Sequence, residues 1–245
     1  MTNVIKWPFN QKAIKLLLMS LQKNIAIFDL DNTLLSGDSD VLWGQYLVKH
    51  NMVDGEFYSR ENLRFYEEYK AGTLDIYEFL SFALKPLTEH PLEELLSLRE
   101  QYVTELILPI ISAKSRQVLQ DHKDQGHLLM IITATNRFVT EPIAEELGVD
   151  HLLATDPEVI NGQYTGKVAG TPCFQEGKVK RLEFWLKETG HNLAQSWFYS
   201  DSHNDLPLLE KVTHAIAVDP DDTLRNHAEI KQWPILSLSI SNEQE

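Results

Sequence analysis

The sequence predicts an α/β fold in which helices cover both faces of a doubly wound parallel sheet, with a small helical domain inserted after the first strand. Two observations support this fold class. From residue 113 onwards, short apolar runs typical of buried strands alternate with segments of helical periodicity, as in parallel sheets. Residues 36–109, in contrast, have helical spacing of apolar residues throughout and no strand-like alternation.

The first strand is expected at residues 25–28, an apolar run followed by two aspartates, Asp29 and Asp31. Charged groups suit a core poorly, whereas the carboxyl end of a parallel strand is where α/β proteins bind ligands. The alternative is a solvated turn, in which Asp and Asn are common. An EF-hand calcium loop is excluded, because it needs Gly and Glu where this chain has Leu34 and Asp40.

The remaining elements follow from turn residues and periodicity. In the insert, residues 72–75 interrupt the helices, the next helix ends at Pro86, and Pro91 begins another. In the core, Gly148 is expected to end a helix, and the Asn161-Gly162 pair predicts a β-hairpin. The core elements are expected at helix 115–125, strand 128–133, helix 140–147, strand 150–154, helix 177–187, strand 196–199, helix 206–211 and a final strand 214–218.

This pattern divides the chain into three parts. Residues 1–23 form an N-terminal extension, to which we assign no function. Residues 24–35 and 110–245 form the α/β core, and residues 36–109 form the helical insert. The apolar stretch of the extension is shorter than that of a secretory signal and has no small-residue cleavage site after it.

Composition excludes several classes of partner. The formal net charge of −14 argues against nucleic acid and against anionic membranes, both of which attract clustered Lys and Arg. No apolar run reaches the ~18 residues that cross a bilayer. The single cysteine, Cys173, permits no internal disulfide, which is typical of the reducing cytoplasm. We therefore expect a cytoplasmic protein acting on a small molecule, and the sequence does not indicate its oligomeric state.

Polar side chains at the ends of three strands, and one lysine at the start of a later helix, are candidates for chemistry: Asp29, Asp31, Thr133, Lys178, Asp201 and Asp205. Because the carboxyl ends of parallel strands share one edge of the sheet, we expect these side chains to converge on one crevice. Each has an ordinary alternative when taken alone. Thr133 would be a strand-end residue bonded to backbone, Lys178 a solvated helix residue, and the later aspartates acids at a helix N-terminus.

Taken together and in order, these residues resemble the haloacid dehalogenase superfamily of phosphatases over residues 25–220. The insert is similar to the cap of the subgroup that includes phosphoserine phosphatase, so the resemblance implies a Rossmann-like core carrying a helical cap. The four motifs are Asp29-Leu30-Asp31-Asn32-Thr33, the threonine of Ile131-Ile132-Thr133, the lysine of Gly177-Lys178, and Ser200-Asp201-Ser202-His203-Asn204-Asp205-Leu206-Pro207.

The resemblance implies a phosphomonoester hydrolase with a covalent intermediate. Asp29 would attack phosphorus and form an aspartyl-phosphate, and Asp31 would protonate the leaving alkoxide and later deprotonate water. That role requires Asp31 to begin protonated, so we expect neighbouring carboxylates to raise its pKa. Thr133 and Lys178 would hold the phosphoryl oxygens.

The resemblance also implies Mg²⁺ as the cofactor, because hard oxygen ligands suit this ion. Its ligands would be Asp29, the backbone carbonyl of Asp31, Asp201, and Asp205 directly or through water. Asn204 is assigned to the substrate side of the site, as a partner of the metal and the lysine.

The substrate prediction rests on the insert. Asp38 matches a glutamate with which phosphoserine phosphatases bind the substrate ammonium, but Ala83 stands where those enzymes place an arginine on the substrate carboxylate. An unpaired carboxylate is costly to desolvate. Histidinol phosphate keeps the ammonium and lacks the carboxylate, so it is the first prediction. A phosphoserine phosphatase, with Arg60 or Arg64 replacing the missing arginine, and a phosphotransferase using the same intermediate remain alternatives.

Aromatic residues of the insert offer one further indication, because an imidazole ring stacks well on them. The same residues could equally form the core of the insert. They are Trp43, Tyr46, Phe65, Tyr66 and Tyr69.

Overall fold

The computed structural model describes residues 23–240, and its centre is a six-stranded parallel sheet. The sheet order is β3-β2-β1-β6-β7-β8, with β4 and β5 forming a separate antiparallel pair. This is the doubly wound order, and it confirms the predicted fold class. The strands are β1 Ile25–Phe28, β2 Leu128–Asn136, β3 His151–Thr155, β4 Pro157–Ile160, β5 Gln163–Val168, β6 Ser196–Ser200, β7 His214–Val218 and β8 Ile235–Leu236.

Helices of the insert separate β1 from the rest of the core. They are α1 Ser39–Lys49, α2 Gly55–Ala71, α3 Ile76–Ala83, α4 Pro86–Glu89 and α5 Leu92–Tyr102, followed by a π-helical turn, Val103–Ile107, and a 3₁₀ turn, Leu108–Ile110. The core helices are α6 Ala113–Asp124, α7 Arg137–Leu147, α8 Glu176–Thr189, α9 Leu206–Leu209 and α10 Asp222–Lys231. Apart from Lys23, the predicted N-terminal extension lies outside the described residues. No helix within residues 23–240 is long and apolar enough to cross a membrane.

Local sequence explains where the insert helices begin and end. The carboxylates of Asp38, Asp54 and Asp75 each accept backbone N–H bonds at the start of α1, α2 and α3, which satisfies donors that a helix leaves free. Gly72 ends α2 with a φ of 69°, a conformation that glycine adopts without strain.

The sheet has a hydrophobic cluster on each face because side chains alternate along a strand. Ala26 and Phe28 of β1 enter one cluster, and Ile25 and Ile27 enter the other. The first cluster continues into the insert, so the insert and the core share apolar contacts. An antiparallel bridge between Leu35 and Ile111 brings the two ends of the insert together.

The predicted hairpin is present between β4 and β5. Asn161 and Gly162 have φ values of 53° and 78°, as a two-residue hairpin turn requires. From there β5 packs against α3 and α4 of the insert, so the hairpin supports the insert from the core side.

Several predicted boundaries were wrong. Strand β2 does not end at Thr133 but runs to Asn136, with a shift in its register against β3 after Ile132. The strand at 214–218 is not the final one, because α10 and β8 follow it. Two residues of β8 are too few to show strand alternation.

One helix prediction is confirmed and another needs correction. The helix before Pro86 ends at Ala83, as expected, and Pro86 then begins the short α4, where a helix does not need the N–H that proline lacks. The helix predicted at 206–211 is a 3₁₀ turn, His203–Asp205, followed by the short α9.

Candidate active site

Asp29 and Asp31 lie where β1 ends and the chain turns towards the insert. The backbone N–H of Asp29 donates to the carbonyl of Tyr199 at 2.9 Å, which holds Asp29 at the edge of the sheet next to β6. Asn32 continues the turn with a φ of 56°, a conformation that asparagine tolerates better than most residues. The turn therefore fixes both carboxylates at the crevice edge of the sheet.

Lys178 is the cation of this edge. It is 3% exposed, and its Nζ donates to Asp29 Oδ1 and to Asp205 Oδ2, each at 2.7 Å. Burial alone would lower the pKa of Lys178, but the carboxylates of Asp205 and Asp29 raise it above its ordinary value. Burial raises the pKa of Asp29 to about 7, although Lys178 opposes this. Ser200 completes the cluster by donating to Asp205 Oδ2 at 2.7 Å.

Asp31 points to a different set of donors. Its Oδ1 accepts from the backbone N–H of Ser39 at 2.6 Å, and its Oδ2 accepts from the hydroxyls of Thr135 at 2.8 Å and Thr133 at 3.4 Å. Burial and, second, the carboxylate of Asp38 raise the pKa of Asp31 to about 6. A raised pKa is what proton transfer by this residue needs, but burial contributes more to it than neighbouring carboxylates do.

Asp201 lies close enough to Asp29 for their charges to interact, but it lines the cleft beside Ser202 and His203 and not the pocket of Asp29, Asp31 and Lys178. Its Oδ1 accepts from Thr33 Oγ1 at 2.9 Å, and burial together with the Asp29 carboxylate raises its pKa well above the ordinary value. Neighbouring buried carboxylates repel each other, and a hard divalent cation that binds to their oxygen atoms removes this repulsion. Asp205 already accepts from Lys178, which favours contact with such an ion through water. Within residues 23–240, no three acidic, histidine or cysteine side chains are grouped closely enough to bind a metal alone, so other oxygen atoms would have to complete its coordination.

A cavity lies between this edge and the insert. One wall of the cavity is the acidic edge of the sheet, and the opposite wall is a largely aromatic face of the insert. The core contributes Asp29, Asp31, Thr133, Lys178, Asn204 and Asp205, and the insert contributes Asp38, Asp40, Phe65, Tyr66, Tyr69 and Phe79.

Asp38 has two functions in this wall. Its Oδ1 accepts from the backbone N–H groups of Asp40 and Val41, both at 2.9 Å, and so caps α1. The same side chain lines the cavity. Burial raises its pKa above the ordinary value, so a cation in the cavity would relieve the cost of keeping it charged.

The sequence profile of the family described as haloacid dehalogenase-like hydrolase matches residues 26–210. This chain belongs to that family. The match covers more than half of the chain and includes every element of the acidic edge. The predicted family and the prediction of a phosphatase-type enzyme are therefore confirmed.

Similar proteins extend the comparison for this hydrolase. A histidinol-phosphatase from Neisseria meningitidis is 43% identical over 219 residues, which are 88% of this chain and 99% of that protein. A structure of a protein with unknown function from Bordetella pertussis Tohama I has a TM-score of 0.84 and 42% identity, covering 89% of this chain and 99% of that one. A substrate-bound phosphoserine phosphatase has a TM-score of 0.65 at 20% identity, covering 89% and 94%, and shows the shared fold alone.

Sequence reasoning missed two polar residues of this hydrolase's site. Thr135 donates to Asp31 at 2.8 Å, and the strand period of two could have identified it, since it lies on the same side of β2 as Thr133. Asp40 lines the cavity and accepts from Asn136 Nδ2 at 3.3 Å. Burial, then the nearby acids, raise the pKa of Asp40 to about 8.

The aromatic residues of the insert divide into two groups. Phe65, Tyr66 and Tyr69 line the cavity, whereas Trp43 and Tyr46 are buried in the hydrophobic cluster that the insert shares with the core. Only the first group is placed to contact a substrate of this hydrolase.

The suggestion that Arg60 or Arg64 replaces the missing arginine is wrong. Arg60 pairs with Glu61 at 3.1 Å, and Arg64 pairs with Glu61, Glu68 and Glu78 at 2.8–3.0 Å. Neither arginine lines the cavity. Carboxylates of α2 itself, together with Glu78 of α3, hold them there.

The loop before Lys178 depends on a glycine. A Cβ atom on Gly177 would lie 2.0 Å from the backbone oxygen of Pro172. The N–H of Gly177 donates to the carbonyl of Phe174 at 2.7 Å. Gln175 in the same loop has a φ of 46°. The close approach at Gly177 thus fixes where α8 starts and where Lys178 enters the site.

Gly177→Ala is expected to destabilise the fold by about 1–3 kcal/mol, because backbone must move to admit the methyl group. A displacement of Lys178 of the order of 1 Å would lower kcat/KM by about 10²-fold. Gly190→Ala, at the other end of α8 with a φ of 76°, is the control. It is expected to lower stability by about 1 kcal/mol and to leave kcat/KM unchanged. Urea unfolding and phosphate release measure both, and equal activities of the two variants would contradict this role of Gly177.

Proposed function

We propose that this hydrolase is a Mg²⁺-dependent phosphomonoesterase that uses an aspartyl-phosphate intermediate, with histidinol phosphate as its substrate. The observation that carries the proposal is the meeting of Asp29, Asp31 and Lys178 at one cavity with an acidic and aromatic opposite wall. We further propose that residues 36–109 act as a cap over a core formed by residues 24–35 and 110–245.

In the first step Asp29 attacks phosphorus while the bond from phosphorus to the leaving oxygen breaks. The proton of Asp31 passes to that oxygen, so the product leaves as an alcohol. Burial raises the pKa of Asp31 to about 6, which favours proton transfer by this carboxyl group. The pKa of Asp29 is raised as well, so the charges of Lys178 and of a bound cation would be needed to keep the nucleophile ionised. The bonds from Ser39 and Thr135 hold the carboxyl group of Asp31 in place.

In the second step a water molecule attacks the phosphorus of the intermediate. Asp31, now a carboxylate, accepts a proton from that water, and the bond between Asp29 and phosphorus breaks to release phosphate. Lys178 and Thr133 are proposed to hold the phosphoryl oxygens. Because the protein already holds these hydrogen-bond donors in place, they stabilise the charge of the transition state without having to move.

Mg²⁺ would be held by Asp29, the backbone carbonyl of Asp31 and Asp201, with Asp205 contributing directly or through water. The bound ion would supply neutralisation of the phosphoryl charge. Asn204 also lines the cavity and is proposed to support the metal and Lys178 from the substrate side.

The substrate assignment rests on the wall opposite the phosphate. Asp38 and Asp40 offer two partly buried carboxylates to a cation, and Phe65, Tyr66 and Tyr69 offer aromatic faces to a ring. Histidinol phosphate carries an ammonium and an imidazole and has no carboxylate. The identity of 43% to a histidinol-phosphatase supports the same assignment.

A screen of phosphate release tests the proposal. Histidinol phosphate, phosphoserine, phosphoethanolamine, sugar phosphates and nucleotides are compared with Mg²⁺ and with EDTA. We expect kcat/KM for histidinol phosphate to exceed the others by about tenfold or more, because sugar phosphates and nucleotides lack the ammonium, phosphoethanolamine lacks the aromatic ring, and phosphoserine adds a carboxylate without a partner. EDTA is expected to abolish turnover. Equal, slow turnover of every compound would contradict the substrate, and transfer of phosphate to added alcohols would identify a phosphotransferase.

Asp38→Asn tests the cation contact separately. Asparagine also caps helices well, so α1 is expected to remain intact while the charge is lost. We expect kcat/KM for histidinol phosphate to fall about 10- to 100-fold, as for the loss of a hydrogen bond to a charged group. Glycerol phosphate, which has no cation, is the control substrate, and its kcat/KM is expected to change much less, because it loses only the effect of the Asp38 charge on the pKa of Asp31. A loss of equal size for both substrates would contradict the proposed contact.

A further inference from the structure

Tyr69 connects the insert directly to the acidic edge of the core. It lies in the last turn of α2, and its hydroxyl donates to Ser202 Oγ at 2.8 Å. Ser202 is 4% exposed and follows Asp201 in the chain. A hydrogen bond between residues 133 positions apart therefore joins the insert to the loop that carries the proposed metal ligands.

From Ser202 the hydrogen bonds continue towards Lys178. Ser202 Oγ accepts from the backbone N–H of Asn204 at 3.2 Å and from its Nδ2 at 3.3 Å. Asn204 Oδ1 accepts from Gln175 Nε2 at 2.8 Å. The carbonyl of Gln175 in turn accepts from the N–H of Lys178 at 3.0 Å. One chain of hydrogen bonds thus runs from the insert through the acidic loop to the start of α8.

Tyr69 lies between the cavity and a second cleft, so its hydrogen bond to Ser202 holds the wall that the two share. Tyr69 lines this cavity and also an open cleft on the outer side. Its ring lies 6.2 Å from that of Phe174, and a Cβ on the neighbouring Gly72 would lie 3.7 Å from His203 Nε2. The end of α2 therefore rests on both loops of the site and separates the cavity from the cleft.

We infer that Tyr69 is a positioning residue. Through the hydroxyl of Tyr69, the insert holds the loop of Asp201 and the segment that leads into Lys178 at fixed positions relative to each other. This hydroxyl does not touch the reacting atoms, and the ring, which remains in Tyr69→Phe, keeps its place in the cavity wall. The effect of the hydroxyl passes through Ser202 and Asn204, both of which are buried. The kinetic part of the test rests on the proposed phosphatase reaction, whereas the hydrogen-exchange part does not.

The kinetic test uses Tyr69→Phe, Ser202→Ala and the double variant. Tyr69→Phe is expected to lower kcat about 3- to 10-fold, the typical effect of one hydrogen bond, with little change in KM. In the Ser202→Ala background, Tyr69→Phe is expected to have no further effect, because both substitutions remove the same contact. Tyr77→Phe, on the exposed side of α3, is the control and is expected to have wild-type kinetics.

Amide hydrogen exchange tests the contact without any substrate. Over residues 64–72 and 200–206, exchange is expected to be faster in Tyr69→Phe than in wild type and unchanged in Tyr77→Phe. Unchanged exchange in Tyr69→Phe overturns the inference. Faster exchange with wild-type kcat in an active enzyme also overturns it, since the contact would then be only structural. If wild type releases phosphate from no substrate, the proposed function fails and the exchange result still decides whether Tyr69 holds these loops.

Discussion

Asp29→Asn is expected to abolish phosphate release while leaving the protein folded. The amide cannot form the aspartyl-phosphate, and removal of a nucleophile lowers kcat on the order of 10⁴-fold or more. Lys178 keeps its bond of 2.7 Å to Asp205 in this variant, so no buried cation is left without a partner. Loss of activity with an intact fold is the result that distinguishes a nucleophile from a structural carboxylate.

The stability of Asp29→Asn has a predictable sign. The pKa of Asp29 in the folded protein, about 7, is higher than its ordinary value of 3.8, so ionisation of Asp29 disfavours the folded state as the pH rises through this interval. In EDTA at pH 8, Asp29→Asn is therefore expected to be at least as stable as wild type by urea unfolding. Asp75→Asn, at the N-terminus of α3, is the matched control with unchanged activity, because asparagine also caps helices. Wild-type phosphate release from Asp29→Asn would remove the proposed nucleophile.

The convergence of the site could be predicted from sequence for a geometrical reason. Asp29 and Asp201 follow β1 and β6, and Thr133 lies near the carboxyl end of β2. These three strands are parallel neighbours, so the three residues lie at one edge of the sheet. The direct contact between Lys178 and Asp205 follows from the same topology, because α8 begins at that edge. The fold and the acidic edge could therefore be predicted from strand order and burial alone.

Side-chain direction could not be predicted in the same way. Asp38 is suited both to capping a helix and to binding a cation, and it caps α1 while lining the cavity. Thr135 was missed because β2 was expected to end at Thr133, whereas it runs to Asn136 and places both threonines on one side. Arg60 and Arg64 have a charge suited to a substrate carboxylate, but the helix turns them towards their own glutamates. Residue type indicates what chemistry is possible, and packing determines which of the possibilities is used.

Lys178→Met is expected to reduce both stability and activity strongly. Asp29 and Asp205, which are 7% and 3% exposed, would lose the ammonium that each contacts at 2.7 Å. Breaking a buried ion pair by removing one partner costs about 3–5 kcal/mol. Loss of a charged group that holds the phosphoryl oxygens is expected to lower kcat by about 10²- to 10³-fold. Urea unfolding in EDTA and phosphate release with Mg²⁺ measure the two effects.

The stability loss in Lys178→Met should depend on pH, and its sign follows from the carboxylates. Lys178 is charged over the whole range in wild type, since its pKa is raised. In the variant, Asp29 has lost the ammonium that lowered its pKa, so it takes up a proton more readily and the cost of burying its charge disappears as the pH falls. The difference in unfolding free energy from wild type is therefore expected to be large at pH 8 and smaller at pH 5. Lys211→Met, which removes a half-exposed pair with Glu183 at 2.9 Å, is the control and should cost less than about 1 kcal/mol at both pH values. A deficit in Lys178→Met that is the same at pH 5 and pH 8 would mean that the buried carboxylates are not what Lys178 stabilises.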